Sequence, residues 1–405
     1  MTMLMRMAWR NIWRNKGRSL VIMASIALGL MAGISILALY KGMIHAKVRT
    51  VIDRESGHIQ LHHPHFRDDQ HPAYTIADTL ALNKIRQQPG VQAAAARVVT
   101  AGMLTTTSGS AGVNIYGIDP ADEQAISKLD QKIREGSYFD TQTRHPIVIG
   151  KKLADKMKLK LKSKVVLTFV DTANTMVAAA FRVVAIYESD NAPFDERTVY
   201  LLRAQLSGLL STGRQIHELA VILHRDEELD ATASAFSAMF PDLRVETWKE
   251  ISPETDLMVS TTDQYSYIIL VIIMLALAFG IVNTMLMAIL ERTREIGMLV
   301  ALGMNKLRLF LLILYETIFL TLLGSPVALI CSFLLIRYFN RHGLDLSGFG
   351  QEMMKQFGFQ NLVYPEFPWD KLAGLVMIVA ATAILSGLLP ALRALNLKPT
   401  EALRK

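Results

Sequence analysis

Residues 267–290 read YIILVIIMLALAFGIVNTMLMAIL, a run without a single charged side chain. A helix needs about 20 mostly apolar residues to cross a hydrocarbon core of roughly 30 Å. Three further runs meet this requirement: Leu20 to Tyr40, about Leu309 to Ile336, and about Leu372 to Leu392. The sequence therefore predicts a membrane protein with four transmembrane α-helices.

The charge distribution supports a membrane protein. Of the 405 residues, 51% are hydrophobic, and a long polar stretch separates the first apolar run from the other three. The net charge is +7, but Lys and Arg cluster beside the apolar runs, which favours membrane topology over nucleic-acid binding. The single cysteine, Cys331, lies inside an apolar run, so no disulfide can form within the chain.

The basic residues also predict the orientation. They precede the first run, follow the second and follow the fourth, and four spans place these three segments on one side, which is cytoplasmic by the positive-inside rule. The first run is longer than the roughly 7–15 apolar residues of a signal peptide, so we expect an uncleaved anchor. The predicted segments are 1–18 (cytoplasmic amphipathic helix), 19–41 (span 1), 42–266 (extracytoplasmic domain), 267–290 (span 2), 291–308 (cytoplasmic loop), 309–336 (span 3), 337–371 (outer loop), 372–392 (span 4) and 393–405 (cytoplasmic tail).

The large domain between the first two spans reads as mixed α/β. Alternating apolar residues predict strands at 57–63, 111–118, 164–170 and 180–187, and helical spacing predicts helices near 79–87, 151–158 and 229–239. A division into two subdomains, with an inserted part from roughly 120 to 220, is also plausible.

The loop after the second span carries the most specific pattern in the chain. It reads Glu291-Arg292-Thr293-Arg294-Glu295-Ile296-Gly297-Met298-Leu299-Val300-Ala301-Leu302-Gly303. A charged start followed by apolar residues at helical spacing predicts a short amphipathic helix at the cytoplasmic surface. The pattern alone fits a charged loop that only fixes topology equally well.

This string resembles the signature of the FtsX-like, MacB-like family of ABC transporter permeases. The layout is most similar to the lipoprotein-releasing permeases LolC and LolE. The similar segments also include Trp9 to Lys16, Tyr116 to Pro120, Val148 to Ala154, Pro390 to Ala394 and Pro399 to Arg404. The resemblance covers essentially the whole chain.

The resemblance implies a permease half that pairs with a second permease subunit, as a homo- or heterodimer, on two ABC ATPase subunits. The loop helix would dock on the ATPase and pass its closure to the spans. The coupling residues would be Glu291, Arg292, Arg294, Glu295, Ile296, Gly297, Leu299, Ala301 and Gly303.

The N-terminal segment has a second amphipathic pattern. Arg6, Arg10 and Arg14 recur every four residues, and Trp9 and Trp13 lie beside them. This spacing suits a helix in the membrane interface, with Trp at headgroup level. Simple positive-inside anchoring explains the same residues equally well.

No nucleotide-hydrolysing motif is recognised. Gly150-Lys151-Lys152 lacks the first glycine and the hydroxyl residue of a P-loop, and Leu346 to Gln351 is treated as a chance likeness to the ABC signature. We therefore expect no catalytic residues and no cofactor in this chain, with ATP bound by the partner subunit.

The histidines between residues 58 and 71 do not predict a metal site. On a strand, His58 and His62 would lie roughly 13 Å apart. Metal ligands converge at about 2 Å from one ion. We expect a polar strand edge and loop here.

Glu316 lies inside the third span, where a carboxylate is costly. We expect it to face the bundle and bond a neighbour such as Asn283 or Thr284. Small residues should allow close contacts between helices: Gly280, Gly324, Ser325, Gly374 and Gly387.

Members of this family release lipoproteins, drive efflux through a periplasmic adaptor, or pull on a cell-wall hydrolase. Chain length favours release from the inner membrane, with transfer to a periplasmic carrier. The place where a releasing subunit carries a carrier-binding hairpin corresponds to Asp171 to Met176, which is short and lacks Pro and Arg. A signalling subunit that moves a periplasmic partner without transporting a substrate is the alternative.

Overall fold

The computed structural model describes residues 2–14, 16–139, 143–189, 191–349, 359 and 362–395. The similar segment at Pro399 to Arg404 and the end of the 346–351 segment lie outside these residues. Two compact units are formed. The helical unit comprises Met1–Ile44, Thr261–Leu344 and Val363–Lys405, and the α/β unit comprises His45–Ser260 and Asp345–Leu362.

The helices and strands are numbered in chain order. The helices are α1 (Thr2–Arg14), α2 (Lys16–Val51), α3 (Phe66–Asp69), α4 (Asp78–Arg86), α5 (Pro120–Ser127), α6 (Lys151–Lys156), α7 (Ala192–Arg197), α8 (Arg203–Leu210), α9 (Leu229–Met239), α10 (Trp248–Ile251), α11 (Pro253–Glu291), α12 (Thr293–Ala301), α13 (Lys306–His342) and α14 (Leu372–Leu395). The strands are β1 (Ile59–His62), β2 (Ile76–Ala77), β3 (Val91–Thr106), β4 (Gly109–Ile118), β5 (Ile133–Gly136), β6 (Pro146–Gly150), β7 (Lys164–Val170), β8 (Met176–Tyr187), β9 (Thr198–Leu202), β10 (Gln215–Ile216), β11 (Glu218–Leu223), β12 (Arg244–Thr247), β13 (Leu344–Asp345) and β14 (Leu362–Val363). A π-helix, Ile52–Ser56, follows α2.

Four helices of the described chain are long and apolar enough to cross a membrane: α2, α11, α13 and α14. The prediction of four transmembrane helices is confirmed. Both α2, with 36 residues, and α11, with 39, are longer than a span requires. At about 1.5 Å per residue they reach roughly 54 Å and 58 Å, so each continues past the hydrocarbon core.

Two of the predicted small residues bring helices of this unit into close contact. A methyl group added at Gly324 would lie 3.1 Å from the backbone oxygen of Met23, and one at Gly387 would lie 3.0 Å from the Thr317 hydroxyl. Gly280 and Gly374 are also predicted to lie at helix contacts, and within this chain that prediction is wrong, because a methyl group at either would meet nothing within 4 Å.

The α/β unit is organised by one ten-stranded sheet. Its order is β12-β1-β11-β3-β4-β9-β6-β8-β5, and β7 pairs with both β3 and β8. Neighbours are mostly antiparallel, except β4 with β9 and β6 with β8. The part from 120 to 220 is linked to the rest of the sheet through β9, which hydrogen-bonds to β4. The division into two subdomains stays a prediction. The mixed α/β domain predicted between the first two spans is confirmed.

The strands form because apolar side chains alternate along them. In β7, Val165, Leu167 and Phe169 are buried, whereas Lys164 and Val170 at its ends are exposed. Successive strand residues point to opposite faces, so this spacing gives one apolar face. That face packs into the main core of the unit.

A close approach of two backbones generates the first prediction. A methyl group at Gly150, before α6, would lie 2.0 Å from the backbone oxygen of Asp195 in α7. We expect Gly150→Ala to lower the thermal midpoint of the purified protein by about 5–10 °C, because relieving the clash costs roughly 3 kcal/mol.

Gly112 in β4 is the matched control, since a methyl group there meets nothing within 4 Å. Gly112→Ala should leave the midpoint within about 2 °C of the native value. Equal midpoints for the two variants would contradict the close approach at Gly150.

Candidate functional site

The loop between the second and third spans folds into α12, as its pattern predicts. The turn after α12 is closed by two bonds, from Leu302 N–H to the Met298 oxygen (2.9 Å) and from Met304 N–H to the Leu299 oxygen (3.0 Å). Gly303 has φ +89°, a left-handed conformation that suits glycine. The Asn305 side chain then accepts the Leu307 N–H (3.2 Å) and starts α13.

The structure separates the predicted coupling residues into a buried and an exposed group. Arg292, Ile296 and Gly297 are buried, and Leu299 is half-buried. The exposed residues of this segment include four of the predicted residues and two apolar residues that were not singled out: Glu291, Arg294, Glu295, Gly303, Met298 and Leu302. Glu291 is the last residue of α11, and Ala301 is the last residue of α12.

An ion pair connects the loop to the third span. The Arg292 Nη1 lies 3.2 Å from Glu316 Oε1 and 3.5 Å from Oε2, and Arg292 Nη2 donates to the backbone oxygen of Asn11 at 3.3 Å. Arg292 is 9% exposed and Glu316 is 7% exposed. Both therefore lie at the interface of α1, α11 and α13, away from solvent.

Glu316 faces the bundle and bonds a neighbour, as predicted, but the two partners named for it are wrong. Asn283 is exposed, and the Thr284 hydroxyl donates to the backbone oxygens of Gly280 (2.8 Å) and Ile281 (3.1 Å) in its own helix. A short side chain in a helix satisfies itself locally. A guanidinium reaches across to the neighbouring helix and also supplies the missing positive charge.

A small cavity of about 50 Å³ lies beside this ion pair. Apart from the charged groups and Asn11, its lining is apolar: Met285, Ala288, Ile289, Ile296, Leu299, Leu309, Leu312 and Ile313. In apolar surroundings the attraction between opposite charges is stronger than in water. The pair is therefore costly to break.

The N-terminal helix joins the same cluster. Arg14 forms an ion pair with Glu295, which lies one turn from Arg292. Trp9 packs edge-on against Phe319 of α13, with ring centroids 5.8 Å apart. The helix thus touches both α12 and α13.

The other predicted residues of α1 are exposed, and Trp9 is only partly covered by Phe319. Arg6 and Arg10 are exposed, and Trp9 and Trp13 are 42% and 50% exposed. This placement is compatible with a helix in the membrane interface, which stays a prediction.

Electrostatic contacts hold α12 in place. Ion pairs and a buried Arg join α12 to α1 and α13, and α12 keeps an outer face with apolar and charged residues.

Two family models match the chain. The MacB-like periplasmic core domain matches residues 19–239, and the FtsX-like permease C-terminal domain matches residues 267–399. The first match covers more than half of the chain.

Full-length relatives have modest identity. The lipoprotein-releasing system transmembrane protein LolC of Neisseria meningitidis is 23% identical over 95% of this chain and 94% of its own length. An uncharacterized ABC transporter permease of Methanocaldococcus jannaschii is 21% identical over 98% and 96%. The macrolide export ATP-binding/permease protein MacB of Salmonella typhimurium is 24% identical over 98% of this chain, which spans 60% of its length.

Solved structures show weaker likeness. The match to the extracellular domain of the transporter YknZ from Gram-positive bacteria covers 47% of this chain and 99% of the YknZ domain, with a TM-score of 0.33 and 16% identity. The periplasmic region of MacB from Actinobacillus actinomycetemcomitans covers 51% and 95%, at TM-score 0.35 and 13% identity.

The buried ion pair generates the second prediction. Arg292→Met and Glu316→Leu should each lower the free energy of unfolding by about 3–5 kcal/mol, because each leaves an unpaired buried charge. The double variant should recover to within about 2 kcal/mol of the native protein, since no buried charge is left. Unfolding in mild detergent measures all three.

Arg294→Met is the control, because Arg294 is exposed one turn along the same segment. It should change the free energy of unfolding by less than about 0.5 kcal/mol. If the losses of the two single variants simply added in the double variant, the two charges would not interact.

Proposed function

Because the chain belongs to the FtsX-like family of ABC transporter permeases and carries the MacB-like periplasmic core domain, we propose that it couples ATP hydrolysis by a separate ATPase subunit to motion of its extracytoplasmic domain. In this proposal both termini and α12 are cytoplasmic, and the protein is a multi-pass protein of the inner membrane. Nucleotide binds to the partner, and this chain transmits the movement.

The observation that carries the proposal is the division of α12 into two faces. Met298 is 53% exposed and Leu302 is 80% exposed, and they lie one turn apart on the outer side. Exposed Glu291 and Arg294 lie near them in sequence. Apolar contacts with charges at the edge are typical of a protein interface, so this face is the docking surface for the ATPase.

The inner face passes the movement on. Arg292 holds α12 to Glu316 in α13, and the contact at Gly324 brings α13 against α2. A rigid-body shift of α13 therefore reaches α2, the span that precedes the extracytoplasmic domain in the chain.

Release of lipoproteins, or of another lipidic substrate, from the inner membrane is the proposed outcome. The similarity to LolC over nearly the full length of both chains supports it. A second permease subunit and a periplasmic carrier or adaptor belong to the proposal as partners.

The segment that corresponds to a carrier-binding hairpin is held against its own domain. The Asn174 side chain bonds His71 (2.8 Å), and Thr172 N–H donates to the Leu210 oxygen (3.3 Å). We therefore assign no carrier docking to this turn.

The third prediction tests the docking face. After the ATPase partner is identified by affinity purification in mild detergent, Met298→Asp and Leu302→Asp should each reduce its co-purification about tenfold, equivalent to about 1.4 kcal/mol. A buried carboxylate in an apolar interface is costly. Membrane insertion and thermal midpoint should not change, because both side chains are exposed.

Leu161→Asp is the control, since Leu161 is an exposed leucine of the α/β unit. It should leave ATPase binding unchanged. Undiminished binding by both Met298→Asp and Leu302→Asp would refute docking through this face.

The substrate is tested separately in cells depleted of the protein. Newly made lipoproteins should accumulate in the inner membrane, and the native chain, but not Leu302→Asp, should restore their release. An ATPase partner without any change in lipoprotein location would support coupling and contradict lipoprotein release.

A further inference from the structure

A second cavity, of about 320 Å³, lies within the α/β unit. Its floor is formed by β1, β11, β3, β4 and β9, and its walls are formed by α3, α7 and the π-helix that follows α2. Pockets for small molecules range from about 300 to 1,000 Å³. This cavity is large enough for a small organic ligand.

The floor of this cavity is unusually polar for a covered sheet. His62 and Glu218 are register partners on β1 and β11, and Asn114 and Thr198 are register partners on β4 and β9. All four line the cavity together with Tyr116. His62, Thr198 and Glu218 are buried, whereas Asn114 is exposed. Buried polar groups cost free energy unless they are satisfied, so polar groups beneath a cavity indicate a role in binding.

The positive charge of Arg97, next to the cavity, is already neutralised. Arg97 binds Glu123 at 2.7 Å and Glu218 at 2.8 Å, and it is almost fully buried. Its charge is therefore not available to an anionic ligand.

Glu246 binds two further basic side chains of the lining, His62 and Arg67. Burial alone would raise its pKa, but hydrogen bonds from His62 and Arg67 lower the pKa of Glu246 to about 2. Arg67 lines the cavity but its charge is committed to this carboxylate.

Two carboxylates keep capacity for a donor. Glu218 accepts hydrogen bonds through Oε1, from Arg97 and from Gln60 (3.2 Å). Glu55 also accepts through Oε1, from Asn191 (2.6 Å). Among the described residues, neither Oε2 has a hydrogen-bond partner of its own. Glu218 is only 5% exposed. Lys47 and Arg54 place positive charge near Glu55, which favours its ionised form against the effect of burial. An ionised carboxylate offers about four acceptor positions, so both groups can accept further donors from a ligand.

Neutral groups complete the lining. Burial, followed by the charge of Glu218, raises the pKa of Tyr116, so its hydroxyl stays protonated. Phe66 and Phe194 supply apolar surface, and Arg197 lies at the end of α7 opposite the Asn191 cap. At about 1.5 Å per residue, Arg197 and the Asn191–Glu55 contact are separated by roughly 9 Å along the helix.

We propose that this cavity binds a small organic cation, a primary ammonium or guanidinium group on an apolar stem, through Glu55 and Glu218. The cationic head donates to the two carboxylates, and the stem packs against Phe66 and Phe194. Charge-assisted hydrogen bonds of this kind are stronger than neutral ones. The cation comes either from a free small molecule or from a lysine or arginine side chain of a polypeptide.

Glu55 lies in an irregular helical turn. Glu55 belongs to the π-helix that continues α2, and such irregular turns are frequent at functional sites. Cation binding does not depend on the proposed ATPase coupling, so an experiment can contradict either proposal without contradicting the other.

The fourth prediction is tested by calorimetric titration of the full chain in mild detergent. The probes are agmatine, arginine, the peptide Gly-Lys-Gly and, as an anionic control, succinate. We expect at least one cationic probe to bind with a Kd below about 1 mM, and succinate not to bind. Binding of agmatine or arginine assigns a free small molecule, whereas binding of the peptide alone assigns a polypeptide side chain.

Two variants locate the site. Glu55→Gln keeps an oxygen for Asn191 but loses the charge, and it should weaken cation binding at least tenfold. Asn114→Trp should abolish binding by filling the cavity, because Asn114 is an exposed side chain of its lining. Glu227→Gln, an exposed acidic residue of a short 3₁₀ turn elsewhere in the unit, should bind as the native chain does.

Circular dichroism and the thermal midpoint establish that each variant is folded. The proposal is overturned if no cationic probe binds with a Kd below about 1 mM, or if Glu55→Gln and Asn114→Trp both bind as tightly as the native chain.

Discussion

The ion pair between Arg292 and Glu316 constrains the whole end of the helical unit where α1, α11, α12 and α13 meet. A carboxylate within a span is expensive unless a positive charge compensates it. The guanidinium that does so belongs to the short loop before α12, so the loop cannot detach without exposing an unpaired charge to apolar surroundings. The same guanidinium reaches the backbone of Asn11 in α1. One electrostatic requirement thus fixes three elements that would otherwise be joined by apolar contacts alone.

Much of the fold is predictable because its causes are local. Long uncharged runs identify the four spans, and alternation within strands such as β7 identifies the α/β domain between the first two. Strand order is not local, and no pattern in the sequence places β9 between β4 and β6. Close packing is also nonlocal: the structure uses Gly29, where a methyl group would lie 2.7 Å from a Leu277 side-chain carbon, rather than Gly280.

The candidate site divides in the same way. The charged and apolar pattern at 291–303 predicts a helix, and the structure has α12 within it. The sequence groups Arg292 with Glu291 and Glu295 as docking residues, whereas the structure turns Arg292 inward to Glu316. Spacing defines which residues share a face, but it does not say which charge meets a carboxylate in another helix. Such a pairing depends on how α11 and α13 pack.

The connection between α12 and α13 is short and held by hydrogen bonds. Only Leu302, Gly303, Met304 and Asn305 separate the two helices, and the turn is pinned by backbone bonds on one side and the Asn305 cap on the other. A flexible chain relays a pull only after its loose length has been taken up, whereas a taut one relays it at once. This segment should therefore tolerate substitutions at its exposed positions far better than insertions, and related sequences should vary here in composition while keeping its length.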